Sequence, residues 1–297
     1  MRIGILTSGG DAPGMNAVLL GAALAGVESG HEVLGIEAGY AGLAERRTRA
    51  LPVPAAREAL GRSGTALGTS RWPRLRDPAG LADAVQAVKA LRLDQLVVAG
   101  GAGSLAGAAT LAGAGVPVIG IPATIDGDLP YPTVTIGTDS AVNYAVRAID
   151  DLRASAGSLT GRAFLVETLG GGSGFLARAV AEAASCPIVL TPELPWDPAD
   201  VAARMRAETR EGYSIAIVGE GVGFAADVAR LLEGHLGDRI RPTTLGHSMR
   251  GAPPSAADRR LGLAAGATAI HLADQGAAPC ALVLGSPLSA VPLEKAV

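Results

Sequence analysis

The first 28 residues, MRIGILTSGGDAPGMNAVLLGAALAGVE from Met1 to Glu28, decide the fold class. The apolar run Ile3–Leu6 has the length of a buried strand. It breaks into a turn of glycines and small polar residues, TSGGDAPGMN from Thr7 to Asn16. That turn leads into an Ala- and Leu-rich stretch of helical length, Asn16 to Glu28. Strand, glycine turn and helix, followed by a second apolar run at Val33–Ile36, make one βαβ unit.

Outward from that unit the same rhythm continues. Apolar runs recur at Leu96–Ala99, Val118–Ile121, Ala163–Val166, Ile188–Leu190, Ile215–Val218 and Ala281–Leu284. Each ends in glycine or a polar turn. Helices are predicted over Pro78–Leu91, Ser104–Ala112, Asp139–Arg153, Gly174–Ala184 and Asp197–Arg210. The class is therefore α/β with mainly parallel sheets. In such sheets the loops after the strand C-termini collect on one edge, where ligands bind.

The 297 residues suit one large or two medium domains, and 48% hydrophobic against 18% charged residues suits strands buried on both faces. The net charge of −3 gives nucleic acid or an anionic membrane surface nothing to be attracted by. Lys89 and Lys295 are the only lysines, so charge that grips phosphate must come from arginine. Cys186 and Cys280 lack metal-ligand spacing and read as buried reduced thiols. The start MRIGILTSGG has no signal-peptide pattern and no stretch is long enough to span a membrane, so a cytoplasmic location is expected.

Four turns carry the chemistry. At Thr7–Asn16, three glycines with Asp11 and Asn16 exceed the single glycine a tight βα turn needs. Backbone N–H groups there can face an anion at a helix N-terminus. GxxxxGK[ST] is absent, so the turn is not a Walker loop. Gly100-Gly101-Ala102-Gly103-Ser104 follows a strand and opens a helix. As a dinucleotide fingerprint it lacks the acidic residue that should end the next strand, which makes a dehydrogenase the weaker class. Pro122-Ala123-Thr124-Ile125-Asp126-Gly127-Asp128 sets two carboxylates astride a glycine just past a buried strand. One can accept a hydroxyl proton while the other stands near a metal ion, although a solvated Asp-Gly turn has the same letters. Arg241 to Gly251, RPTTLGHSMRG, together with Arg162 and Glu220, offers donors for a phosphomonoester on a polar sugar.

These stretches together resemble the ATP-dependent 6-phosphofructokinase family. TSGGDAPGMNA at Thr7–Ala17 is its long opening motif; GGAGS is similar to the family's GGDGS, PATIDGD to its PGTIDND, and LGHSMRG to its LGHxQRGG, in the same order along essentially the whole chain. The resemblance implies two Rossmann-like domains of the phosphofructokinase fold, with catalysis in the cleft. The larger, nucleotide-binding domain would take residues 1–137 plus 251–297, and the smaller, sugar-phosphate-binding domain 138–250. It implies transfer of a phosphoryl group from ATP, with Mg²⁺, to the 1-hydroxyl of fructose 6-phosphate.

By the same resemblance Asp126 is the base, beside Thr124 and Asp128, with Asp128 near Mg²⁺ and Arg71 on the transferring phosphoryl group. Gly10, Tyr40, Arg71, Trp72, Arg76, Gly101, Gly103, Ser104 and Gly107 would line the nucleotide site. Thr124, Asp126, Asp128, Leu169, Gly170, Glu220, His247 and Arg250 would take the sugar phosphate. Arg162 and Arg241 would reach across a subunit boundary in a homo-oligomer, a dimer or tetramer.

The chain departs from the pattern at two places. Ala102 stands where the family has the acidic residue of GGDGS that helps hold Mg²⁺, and Gly171 stands where it commonly has arginine. Pyrophosphate-dependent relatives carry an acidic residue at the position of Gly103 and a lysine at that of Ala123, so ATP is the expected donor. Leu20 and Leu24 occupy positions where bacterial members place effector-binding arginines, and no response to ADP or phosphoenolpyruvate through that site is expected. Three readings stay open: a fructose 6-phosphate kinase, a kinase of another sugar or sugar phosphate, and a catalytically weakened sugar-phosphate-binding paralogue.

Overall fold

The computed structural model describes residues 1–158 and 161–297. The chain divides into two compact units. Unit 1 contains Met1–Thr124, Leu129–Ser140 and Pro253–Val297; unit 2 contains Ile125–Asp128 and Ala141–Ala252.

In unit 1, β1 (Arg2–Ser8) leads through the first glycine turn into α1 (Met15–Glu28), then β2 (Glu32–Ile36), α2 (Gly39–Ala44), β3 (Thr48–Ala50), α3 (Val53–Ala59), α4 (Pro78–Ala90), β4 (Gln95–Gly100), α5 (Ala102–Gly113), β5 (Val118–Thr124) and β6 (Ile136–Gly137). β1, β4 and β5 are buried along almost their whole length, as their unbroken apolar sequences require. α1 is apolar nearly all round for the same reason: it is covered on more than one side.

α6 (Thr138–Gly157) carries the chain onward into unit 2. There β7 (Arg162–Thr168), α7 (Phe175–Ala183), β8 (Ile188–Leu190), α8 (Pro198–Glu211), β9 (Tyr213–Gly219), α9 (Ala225–Leu236) and β10 (Ile240–Thr244) follow. They build a parallel sheet in the order β10-β7-β9-β8. Leu165, Ile188, Met205, Val218 and Leu232 fill its core.

α10 (Ala256–Asp274), β11 (Cys280–Val283) and β12 (Ser289–Pro292) return to unit 1. β11 inserts beside β5, so the sheet reads β12-β11-β5-β4-β1-β2-β3, with β6 pairing β5. Only the β2–β3 and β11–β12 pairs, at the two ends, are antiparallel.

Two sequence expectations differ from what is seen. Ile125–Asp128, placed by sequence in the larger domain, pack with unit 2. Strands β3, β6, β10 and β12 were not foreseen, because each is short, polar or interrupted by proline.

Candidate active site

In unit 1 the strand ends β1, β4 and β5 bring three loops to one edge. Gly9 takes a left-handed φ of 82°, which a side chain would resist, and its carbonyl accepts a 2.6 Å bond from Thr69 Oγ1. Thr7 Oγ1 lies 2.9 Å from Thr65 Oγ1 and donates to the Gly68 carbonyl. The turn carrying Gly10 is thus tied to the segment that leads to Arg71. Arg71 and Arg76 are exposed, and Trp72 is half-buried with Arg74 over its ring.

The second glycine turn opens α5, whose N-cap Gly101 brings no side-chain cap and whose first turn has no acidic residue. That is an N-terminus free to meet an anion. A Cβ added at Gly103 would touch nothing within 4 Å, leaving open space above its backbone, whereas one at Gly101 would lie 3.2 Å from Thr124. Ser104 is buried rather than presented.

Tyr40, expected against the nucleotide, is 4% exposed and donates its hydroxyl to the Ser104 carbonyl at 2.6 Å. Burial pushes its phenol well above the usual range. Gly107 lies against that ring, since a Cβ there would come within 2.9 Å of Tyr40 and of Leu75. Tyr40 and Leu75 thus pack against α5 at Gly107.

In unit 2 Asp126 and Asp128 flank Gly127, which has a φ of 65°. Arg250 Nη2 bonds both carboxylate oxygens of Asp126, each at 3.1 Å, with the two side chains 15% and 20% exposed. Asp128 is exposed as a residue, yet partial burial of its carboxyl and the neighbouring Asp126 charge hold it above the ordinary aspartate range.

After β7, Leu169 donates its N–H to Met249 Sδ at 3.4 Å, and Gly170 runs at a φ of 145°. The Gly171 N–H donates to Glu220 Oε2 at 2.8 Å. Leu169, Gly170, Glu220 and the turn holding His247 therefore share the C-terminal edge of the β7–β9–β10 sheet. His247 itself is exposed. Arg162 and Arg241 do not join them. Arg162 opens β7, about 20 Å before its C-terminal end, and Arg241 is the second residue of β10, about 10 Å before Thr244, at ~3.3 Å per residue.

Among the described residues, no three His, Cys, Asp or Glu side chains are grouped to hold an ion unaided. The Asp126–Asp128 pair nevertheless fits a hard cation of the Mg²⁺ type, which takes one or two carboxylates and completes its shell with water and substrate phosphate. Burial, and after it the charge of Asp126, raises Asp128, and a cation bound there would offset both.

Two residues of this edge escaped the sequence reading. Glu167, buried at the end of β7, accepts the Ala225 N–H at 2.6 Å and the Thr244 hydroxyl at 3.2 Å, joining α9 and β10 to the central strand. Phe175, first residue of α7, lies over Gly127. An acidic residue ending an apolar strand is a signal that could have drawn attention to the first; nothing local marks the second.

The phosphofructokinase family model matches residues 2–273. A relative from Bacillus cytotoxicus named ATP-dependent 6-phosphofructokinase is 39% identical over 277 residues, covering 93% of this chain and 86% of its own. One of the same name from Pectobacterium carotovorum subsp. carotovorum is 42% identical over the same shares. The crystal structure of Pichia pastoris phosphofructokinase in the T-state superposes with a TM-score of 0.93 at 28% identity. It covers 99% of this chain, which spans 35% of the Pichia chain's length.

Proposed function

The chain belongs to the phosphofructokinase family, and from that premise we propose that it transfers the γ-phosphoryl group of ATP to the 1-hydroxyl of fructose 6-phosphate. The observation that carries the proposal is Asp126, a carboxylate in a left-handed Gly turn held by both oxygens to Arg250. A base must be oriented and ionised before it can accept an alcohol proton. A guanidinium on both oxygens supplies the orientation.

In this reading unit 1 takes the nucleotide. The backbone around Gly10 and the α5 N-terminus at Gly101 and Gly103 receive phosphate oxygens, and Arg71 places its cation on the transferring group. Thr124 and Asp126 take the sugar hydroxyl, while Leu169, Gly170, Glu220, His247 and Arg250 hold the sugar phosphate. Remote binding energy at the 6-phosphate then positions the 1-hydroxyl for in-line attack. Asp128 would hold Mg²⁺, which when bound neutralises charge on the transferring phosphoryl group. Arg162 and Arg241, toward the far strand ends, would serve the site of a second copy in a homo-oligomer. No helix among the described residues is long and apolar enough to cross a membrane.

A second acceptor is favoured by one observation. At Gly171 the backbone N–H, with no side chain beside it, is spent on Glu220. A site short of one cation suits a sugar with a less charged or differently placed phosphate.

The test is a coupled assay of the purified chain with ATP, Mg²⁺ and a panel of sugars and sugar phosphates, with Asp126→Asn as control. We expect fructose 6-phosphate to have the highest kcat/KM, and Asp126→Asn to lower kcat by about 10²–10⁴-fold. Equal activity in the variant would remove Asp126 from the reaction.

A further inference from the structure

The turn that carries both carboxylates is short and has glycine at its centre. What lies over it is an aromatic ring. A Cβ built on Gly127 would stand 2.8 Å or less from Cβ, Cγ and Cδ1 of Phe175, closer than atoms of two side chains can approach. The ring is 41% exposed, so it has not been drawn there by the core. Its backbone is anchored independently. The Phe175 N–H donates to Ser173 Oγ at 3.1 Å, and the preceding Gly174 N–H donates to Glu193 Oε1 at 2.7 Å. Gly174 is pressed against Thr191 and Glu193 as Gly127 is against Phe175, leaving the start of α7 little freedom to shift.

We infer that Phe175 is a positioning residue for phosphoryl transfer, its ring occupying the side-chain space of Gly127 and holding the Asp126-Gly127-Asp128 turn in its left-handed form. The inference rests on the kinase reading above for its link to catalysis. The glycine explains the aromatic and the aromatic explains the glycine. The similar family motif, PGTIDND, has Asn at the position of Gly127, a residue that also tolerates positive φ but would need the space this ring fills. Losing the ring leaves the turn free to sample other backbone states, and the carboxylates with it.

The experiment compares the whole chain with Phe175→Ala, Phe175→Leu, Gly127→Asn and the double variant Phe175→Ala/Gly127→Asn. Readouts are steady-state kinetics and thermal melting. We expect Phe175→Ala to lower kcat about 10-fold with KM for ATP within about twofold, since misplacement by an ångström costs up to ~10²-fold. Leucine should recover part of that loss. Gly127→Asn should lose about 10²-fold, and removing the ring in the same chain should restore at least about tenfold, a coupling that independent sites do not show.

Unchanged kcat in Phe175→Ala, or a double variant equal to the product of the singles, overturns the inference. If Gly127→Asn fails to fold and the double variant folds, the coupling is shown by that alone; if both fail, kcat of Phe175→Ala and its recovery by leucine decide. Should the unaltered chain phosphorylate no acceptor, the kinase reading falls. The melting cycle then still tests whether ring and glycine are coupled, and additive melting overturns the coupling too.

Discussion

At the scale of single residues, the carboxylate pair shows how function and stability oppose each other. Burial, and after it the charge of Asp126, holds Asp128 above its ordinary range; its own backbone donor and Arg250 pull it down without prevailing. The native chain therefore keeps this proton at pH values where the unfolded chain has released it. The stabilisation is complete below the unfolded value of about 3.9 and is lost as pH rises through the higher native value. Asp128→Asn cannot ionise, so we expect it to raise the melting temperature more at pH 7 than at pH 4, while phosphoryl transfer falls. Solvent at this exposed residue screens the effect, which makes the pH difference the readout. A melting change that is equal at both pH values would show that charge at Asp128 carries no such cost. The carboxylates themselves were legible in the sequence because Asp-Gly-Asp follows a buried strand. Phe175 was not, because it lies 48 residues away from Gly127 and its pattern in α7 is that of any helix start.

At the scale of elements, legibility followed apolar continuity. β1, β4, β5, β7 and β9 are apolar runs buried on both faces, and the sequence located each within two residues except the end of β5, which runs three residues past Ile121. β10 reads IRPTT, and Pro242 argues against a central strand. It forms because β10 is the edge of its sheet, where a missing N–H leaves no partner unsatisfied. The glycines of α10 were equally opaque. Gly262 and Gly266 are not weak points of a helix but the surface that α1 meets. A Cβ on Gly266 would overlap the Val18 carbonyl and stand 2.7 Å from the Ala22 nitrogen, and one on Gly21 would strike the Leu263 carbonyl. In an isolated helix Gly266→Ala should stabilise by up to ~1 kcal/mol. Here the obstacle is backbone, which cannot rotate away, so we expect a loss of about 1–3 kcal/mol, the range for overpacking. Chemical denaturation checks the sign: a gain would mean that the two helices separate at no cost.

At the scale of the whole molecule, the sequence conveyed the alternation of strands and helices but not which strand neighbours which. The order β12-β11-β5-β4 depends on a segment that leaves unit 1 before Ala141 and re-enters it at Pro253. One buried residue ties that return to the earlier chain. Asp258, 2% exposed in the first turn of α10, accepts the Gly137 N–H at 2.9 Å, the Ser140 N–H at 2.8 Å and the Ser140 hydroxyl at 2.5 Å. The Ser140 hydroxyl oxygen also accepts the Ser255 N–H, so the start of α10 is bonded to the start of α6 from both sides. Burial raises the Asp258 carboxyl in spite of these donors, which marks the desolvation as the larger influence. Asp258→Ala would strand two buried N–H groups without acceptors, each costing about 1–3 kcal/mol. We therefore expect the chain to lose about 2–5 kcal/mol in denaturant unfolding, a large fraction of the 5–15 kcal/mol typical of a native protein. Hydrogen exchange should locate the weakening in α10 and β11 before it reaches the β7–β10 sheet of unit 2. Uniform loss of protection in both units would instead make the returning segment part of one cooperative whole, with Asp258 no more than one contact among many.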